Sequence, residues 1–220
     1  MLIGQQVAVL GGGVAGLAVA RALALRGAVV TLYEQADALT DLGAGLQISP
    51  NGFAVLKALG LDRALAAASM SAEAVEIREG AGGGVLLRMV ISGRAYHLVH
   101  RADLIALLTD GAAEAGVAVH LGRKVDRVVL ADTPQVVFTD GERITPSLLI
   151  GADGLHSKLR PALNGSEAPF FTHQLAWRAL IPAEAGAAPV AQVFTGPGRH
   201  LVSYPLRGGS LRNIVAVEER

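Results

Sequence analysis

Three groups of residues in this 220-residue chain have the types and spacing to do chemistry. The first is "GGGVAG", in which Gly11, Gly13 and Gly16 fit G-x-G-x-x-G, with Glu34 eighteen residues after Gly16. That spacing suits a pyrophosphate. Gly11 makes a tight turn, Gly13 lets backbone N–H groups approach the anion, and Gly16 lets a helix pack closely on a strand. The start of that helix adds free donors and partial positive charge. Glu34 can accept hydrogen bonds from an adenosine ribose, and its charge would repel a 2′-phosphate. The second group is a lone carboxylate, Asp153, set between Gly151 and Gly154. The third is "HLVSY": His200 and Tyr204 occupy alternate positions of one stretch, so on a strand they share a face. Imidazole and phenol are groups that move protons.

These groups need elements to position them. "QQVAVL" (5–10) reads as a short buried strand and "VAGLAVARALALRG" (14–27) as a helix stopped by Gly27. "AVVTLYE" (28–34) reads as a second strand, rich in β-branched residues. Strand, turn, helix, strand and acid fall in order, which predicts an ADP-containing dinucleotide at the N-terminus. These residues alone do not choose between NAD and FAD. Residues 41–61 read as a glycine loop leading into a helix, with Ser49 as cap and Pro50 at its first position. "AVEIREG", "VLLRMVI" and "AYHLVH" read as strands, and 101–116 as an amphipathic helix with Leu104, Leu107 and Leu108 on one face. A run of strands follows, with a hairpin at Asp140-Gly141, before "SLLIGADGLHSKLR" returns the chain to the first sheet. The fold class is therefore α/β: a dinucleotide-binding domain at 1–70 and 100–165, interleaved with a mainly antiparallel sheet at 71–99 and 166–220.

Composition narrows the function classes. Nineteen Lys and Arg balance nineteen Asp and Glu, so no global field attracts nucleic acid or an anionic membrane. There is no cysteine, which excludes disulfides, thiolate metal sites and a cysteine nucleophile, and fits a cytoplasmic setting. The histidines show no metal-ligand spacing. Val7 to Leu25 is apolar, but four glycines and Arg21 interrupt it, against the roughly 20 clean apolar residues a membrane span needs. No Lys or Arg precedes Arg21, so a secretory signal lacks its basic start.

Taken together, "GGGVAGLAVA…LYE", "LGAGLQISPNG", "HRADL", "GADGLHSKLR", "AWRALIP" and "GPGRHLVSYPLRGG…NIVAVEE" resemble the single-component, FAD-dependent aromatic hydroxylases. The branch most similar is that of salicylate hydroxylase and 6-hydroxynicotinate monooxygenase. The resemblance implies a Rossmann-like FAD-binding domain and a β-sheet substrate domain. It implies a monooxygenase in which NADH or NADPH reduces FAD, and O₂ then forms a flavin C4a-hydroperoxide that hydroxylates a phenol or aromatic acid. It assigns Gly11, Gly13, Val14, Ala15, Gly16, Glu34 and Gln35 to the ADP half of FAD. Asp153 goes to the diphosphate and ribose region, Arg101 to the cofactor from a helix start, Val125 to a backbone contact with adenine, and Gln47 to the loop near the flavin ring. Some relatives carry a histidine base at position 47; this chain does not. His200 and Tyr204 match the family's histidine-to-tyrosine spacing and become the candidates for acting on a substrate hydroxyl.

Each assignment has a plainer rival. Asp153 is also a good helix cap for "LHSKLR". Arg101 reads equally as a solvent-facing helix arginine, and His200 and Tyr204 as ordinary half-buried residues of a sheet. Trp177 and Arg178 read as structural. Two other functions stay open: a flavin-dependent reductase or dehydrogenase on the same fold, and a non-catalytic FAD- or nucleotide-binding fragment. The family's second flavin motif, a Gly-Asp turn before a helix, has no counterpart here, and the chain stops at "NIVAVEER". The expectation is a fragment of a longer enzyme, its C-terminal part missing, with partners limited to a small aromatic substrate and O₂.

Overall fold

β1 (Gln6–Leu10) is buried from Val7 onward, as a strand with a neighbour on each side in a parallel sheet must be. In the computed structural model, which describes residues 2–39, 44–183 and 186–220, α1 (Val14–Ala24) and β2 (Val29–Tyr33) follow it. Next come β3 (Gly45–Ile48), α2 (Pro50–Ala58), α3 (Asp62–Ala68), β4 (Ser69–Ser71), β5 (Ala74–Glu79), β6 (Val85–Val90), β7 (His97–His100) and α4 (Arg101–Glu114). After α4 the chain forms β8 (Ala118–His120), β9 (Val125–Val129), β10 (Gln135–Phe138), β11 (Arg143–Ile144), β12 (Leu148–Gly151) and α5 (Leu159–Asn164). Four longer strands end it: β13 (Gln174–Pro182), β14 (Val190–Gly196), β15 (Arg199–Leu206) and β16 (Leu211–Glu219).

These elements divide into two compact units: Met1–Thr40 with Ile105–Pro169, and Asp41–Leu104 with Phe170–Arg220. In the first unit, four parallel strands run in the order β12-β1-β2-β8. Leu17 and Ala20 of α1 are fully buried. β9, β10 and β11 form an antiparallel meander, turned at Asp140-Gly141. Gly141 has φ +89°, and Asp140 Oδ1 accepts the Glu142 N–H at 3.0 Å. Val136 and Phe138 of the meander pack on Leu10 of the sheet.

The second unit holds a six-stranded sheet, β13-β16-β15-β14-β5-β6, antiparallel except where β5 runs parallel to β14. A small antiparallel sheet, β3-β7-β4, belongs with it. Segments 41–70 and 100–104, read from sequence as part of the nucleotide-binding domain, cluster here instead. The physical reason is β7. It pairs with β3 and β4, and its Leu98 packs with Ala72, Ala191, Tyr204 and Leu206 in one apolar cluster. The glycine loop read at 41–49 is likewise corrected over Gly45–Ile48, which is strand; Asp41, Leu42 and Gly43 lie outside the described residues. Among the described residues, no helix is long and apolar enough to cross a membrane.

Candidate functional site

The glycine turn is built by backbone crowding. Gly11 has φ +102°, and a Cβ there would sit 2.7 Å from the carbonyl carbon of Ala152 and closer still to its oxygen. The Ala152 N–H donates to the Leu10 carbonyl at 2.8 Å, so the Asp153 turn and the first glycine turn are joined by backbone alone. A Cβ on Gly16 would collide with the carbonyl oxygen of Gly11. Gly13 is different: it is the N-cap of α1, with φ −75°, no side-chain cap, and nothing within 4 Å of an added Cβ. The start of α1, with half-buried Val14 and exposed Ala15, is thus an unobstructed anion-binding terminus. This open cradle fits the diphosphate of FAD.

Glu34, half-buried, already has two partners. Its Oε2 accepts the Gly12 N–H at 2.6 Å and its Oε1 accepts the Ala36 N–H at 2.9 Å. The carboxylate therefore ties the glycine turn to the end of β2, and each oxygen keeps lone-pair capacity for a ribose hydroxyl. Gly12, which sequence reasoning passed over, is buried under this contact: a Cβ would meet Leu39 at 2.6 Å and Glu34 at 3.1 Å. Gln35 is exposed beside it. Val125 packs its side chain with the Leu10–Val136–Phe138 cluster, so any ligand contact there falls to its backbone.

Asp153 caps a helix. Its Oδ2 accepts the N–H groups of Lys158 at 2.7 Å and Leu159 at 3.4 Å, at the start of α5. Among the described residues its other oxygen has no hydrogen-bond partner. One carboxylate oxygen thus holds the turn.

In the second unit, Gln47 lies on β3 and its Oε1 accepts the Tyr96 hydroxyl at 2.8 Å. Arg101, half-buried rather than fully solvent-facing, opens α4, and its N–H donates to the Ala44 carbonyl at 2.9 Å. His100 Nδ1 accepts the Ala102 N–H at 3.1 Å and caps the same helix.

His200 and Tyr204 share one face of β15, with Val202 between them. The structure does not bring them together: four residues of strand separate their Cα atoms by about 13 Å. Tyr204 is 3 % exposed in the Leu98 cluster. Its ring lies over Gly45, where an added Cβ would be 2.6 Å from it. Burial pushes the Tyr204 phenol up to about 12, against a smaller opposing effect of the Arg178 charge. His200 is half-buried and lines a hollow of about 460 Å³ with Val193, Thr195 and Val217. A larger cavity of about 840 Å³ is also lined by His200 and Val217, together with Trp177, Phe194, Leu201 and Ala216, which the register puts on the opposite face. Trp177, read from sequence as structural, is 59 % exposed there.

Sequence reasoning missed Asn213. It is fully buried opposite Tyr204, and its Oδ1 accepts the Gly45 N–H at 2.7 Å while its Nδ2 has no partner among the described residues. The signal was present: an amide inside the apolar run "NIVAV" needs a reason.

The FAD binding domain family profile matches residues 5–203. The chain is 39 % identical over 224 residues to 3-amino-4-hydroxybenzoate 2-monooxygenase of Streptomyces cremeus, covering 96 % of this chain and 56 % of that one. It is 32 % identical to salicylate hydroxylase of Pseudomonas putida, covering 97 % of this chain and 55 % of that one. A crystal structure of a Klebsiella pneumoniae HpxO variant complexed with FAD superposes with a TM-score of 0.86 at 25 % identity, over 98 % of this chain and 57 % of the other. The chain spans about half the length of the curated relatives it matches. On the profile match across most of its length, the chain belongs to the FAD binding domain family.

Proposed function

We propose that this chain carries the FAD site and the ring-binding sheet of a monooxygenase that uses NAD(P)H and O₂ to hydroxylate a small phenol or aromatic acid. Bound FAD would supply the redox chemistry: two electrons from NAD(P)H and one oxygen atom from O₂ turn a ring C–H into C–OH, and the other oxygen leaves as water. Gly11, Gly13, Val14, Ala15 and Gly16 would hold the diphosphate through backbone, Glu34 and Gln35 the adenosine ribose, and Asp153 the adjoining ribityl or phosphate region. Val125 would offer backbone to adenine, and the family resemblance adds Gln47 and Arg101 as cofactor contacts. Streptomyces cremeus and Pseudomonas putida relatives named for aminohydroxybenzoate and salicylate support a carboxylated phenol as substrate. A cytoplasmic setting, where NAD(P)H is at hand, suits this reading.

The observation that carries the reading is the His200 face of the sheet: a half-buried imidazole at a hollow with Val193 and Val217 in its lining and Arg199 and Glu219 beside them. His200 would take or strongly hydrogen-bond the phenolic proton, which makes the ring more electron-rich. Tyr204 would serve as a donor only, because a phenol pushed up to about 12 stays protonated at neutral pH. The test is His200→Ala in FAD-loaded holoenzyme. Hydroxylated product should fall by about 10²-fold or more, the usual worth of a general base, with FAD affinity nearly unchanged. Normal hydroxylation by this variant removes His200 from the mechanism. Flavin reduction without any hydroxylated product in the wild type favours a dehydrogenase instead.

A further inference from the structure

We infer that Arg178 is the carboxylate anchor of the ring-binding sheet, and that the enzyme therefore discriminates for aromatic acids over neutral phenols. This rests on the proposed hydroxylase reading. Register carries the argument. Arg178 pairs with Val215 on β16, and Val215 pairs with Val202 on β15, so all three side chains share the face of His200 and Tyr204. Arg178 lies two strands from β15 and level with Val202, midway between the rows of His200 and Tyr204. Strand spacing and rise then put its Cα about 12 Å from the Cα of each. Tyr204 is buried at one end of this row, so the long side chains left to reach a ligand are those of Arg178, which is exposed, and His200, which is half-buried. Between Arg178 and His200 on this face stand Val202 and Val215, both half-buried and apolar, with Val202 also packed against the Leu98 cluster.

The guanidinium is available to a ligand. Arg178 is exposed and has no carboxylate partner among the described residues, whereas Arg78 and Arg88 on the opposite face share Glu76. Its neighbours on its own face are Ala176, Leu180, Asn213, Val215 and Val217, none of them acidic. Its charge reaches far enough along this face to act on the Tyr204 phenol. A planar fork of donors at the edge of an apolar floor matches a ring carboxylate in two hydrogen bonds, with the ring lying on the valines and the hydroxyl toward His200.

The test measures dissociation constants on FAD-loaded holoenzyme for 2-, 3- and 4-hydroxybenzoate, each against its neutral hydroxybenzamide, in wild type, Arg178→Met and Arg178→Lys. Wild type should prefer the acid. Arg178→Met, which keeps the stem, should weaken acid binding by about 10- to 100-fold, the usual worth of a charge-assisted pair, and shift the amide less than about twofold. Arg178→Lys should fall between, because it keeps charge and loses the fork. FAD content and melting temperature, measured alongside, check that each variant folds. If Arg178→Met binds acid and amide as wild type does, Arg178 is not the anchor, and the hydroxylase reading survives. If wild type neither binds nor hydroxylates any of these rings, the hydroxylase reading fails and the anchor fails with it.

Discussion

The two units make their sites from different materials. Around Gly11 the site is backbone: two glycine turns pressed together, a bare helix start, and a carboxylate spent partly on main-chain N–H groups. On β15 the site is side chains standing on a sheet, and the surface beneath them is shared out by what covers it. Backbone sites are intolerant of any added atom but nearly indifferent to side-chain identity at the open positions. Sheet-face sites tolerate substitution and respond to chemistry. On the proposed reading, the same chain would separate holding a cofactor, where shape decides, from handling a substrate, where donors, acceptors and charge decide.

The sharpest way to break this comparison is to add one methyl in two places. Gly16→Ala drives a Cβ into the Gly11 carbonyl oxygen, and neither backbone can yield without moving β1 or α1. The expected cost is about 3 kcal/mol or more, at the upper end of overpacking effects, with loss of FAD retention. Gly13→Ala meets nothing within 4 Å and has an ordinary φ of −75°, so the apoprotein should lose no more than about 1 kcal/mol, the cost of alanine at an N-cap. Its FAD affinity should nevertheless fall, because the methyl occupies the approach of the diphosphate. Thermal melting and flavin titration of both variants separate the packing glycine from the ligand glycine. Equal melting losses in the two would mean that the turn is only a packing device.

This contrast also explains what could be read from sequence. Strand, turn, helix and acid in the first unit are local in the chain, so spacing alone laid out β1, α1 and β2 within a residue or a few. The contact that makes Gly11 obligatory comes from Ala152, remote in sequence, and spacing carries no trace of it. Alternation in "HLVSY" put His200 and Tyr204 on one face, and the register agrees. It said nothing of how burial divides them, because β7 packs on the Tyr204 end and spares the His200 end. β3 was read as loop for a similar reason. Four residues that begin with a glycine have no period of their own and become strand only by pairing with β7. The alanine-rich α3 and the three residues of β4 went unread because neither has a turn signal or an apolar stripe.

A middle-sized effect sharpens the role of Glu34. Glu34→Ala strips the Gly12 and Ala36 N–H groups of their acceptor as well as removing the ribose contact. It should destabilise the fold by about 1–3 kcal/mol, the cost of orphaned donors, and weaken FAD binding by a similar amount. Glu34→Gln keeps one carbonyl acceptor and should recover part of both. Denaturant unfolding of the apoprotein beside flavin titration tells the two losses apart. An effect on FAD alone would mean that the carboxylate serves the ligand and not the turn.

The smallest expected effect concerns Tyr204 and tests whether the two ends of β15 differ as burial says. The chain has three tyrosines, Tyr33, Tyr96 and Tyr204, and burial raises the phenol of each. Tyr204 goes furthest, to about 12, because it sits sealed under β7 and over Gly45. In the unfolded chain all three should ionise near about 10. Between that value and about 12 the folded protein keeps a proton on Tyr204 that the unfolded chain has lost, so stability falls as pH rises through this window and is fully present below it. A phenolate absorbance titration should therefore show one tyrosine ionising last, and Tyr204→Phe should abolish that step. The variant keeps the ring and forgoes only the hydroxyl, so it should cost less than about 1 kcal/mol at neutral pH and resist alkaline unfolding better than wild type. If the last phenol to ionise persists in Tyr204→Phe, the Tyr204 end of the strand is as open to water as the His200 end, and the division of labour along β15 disappears.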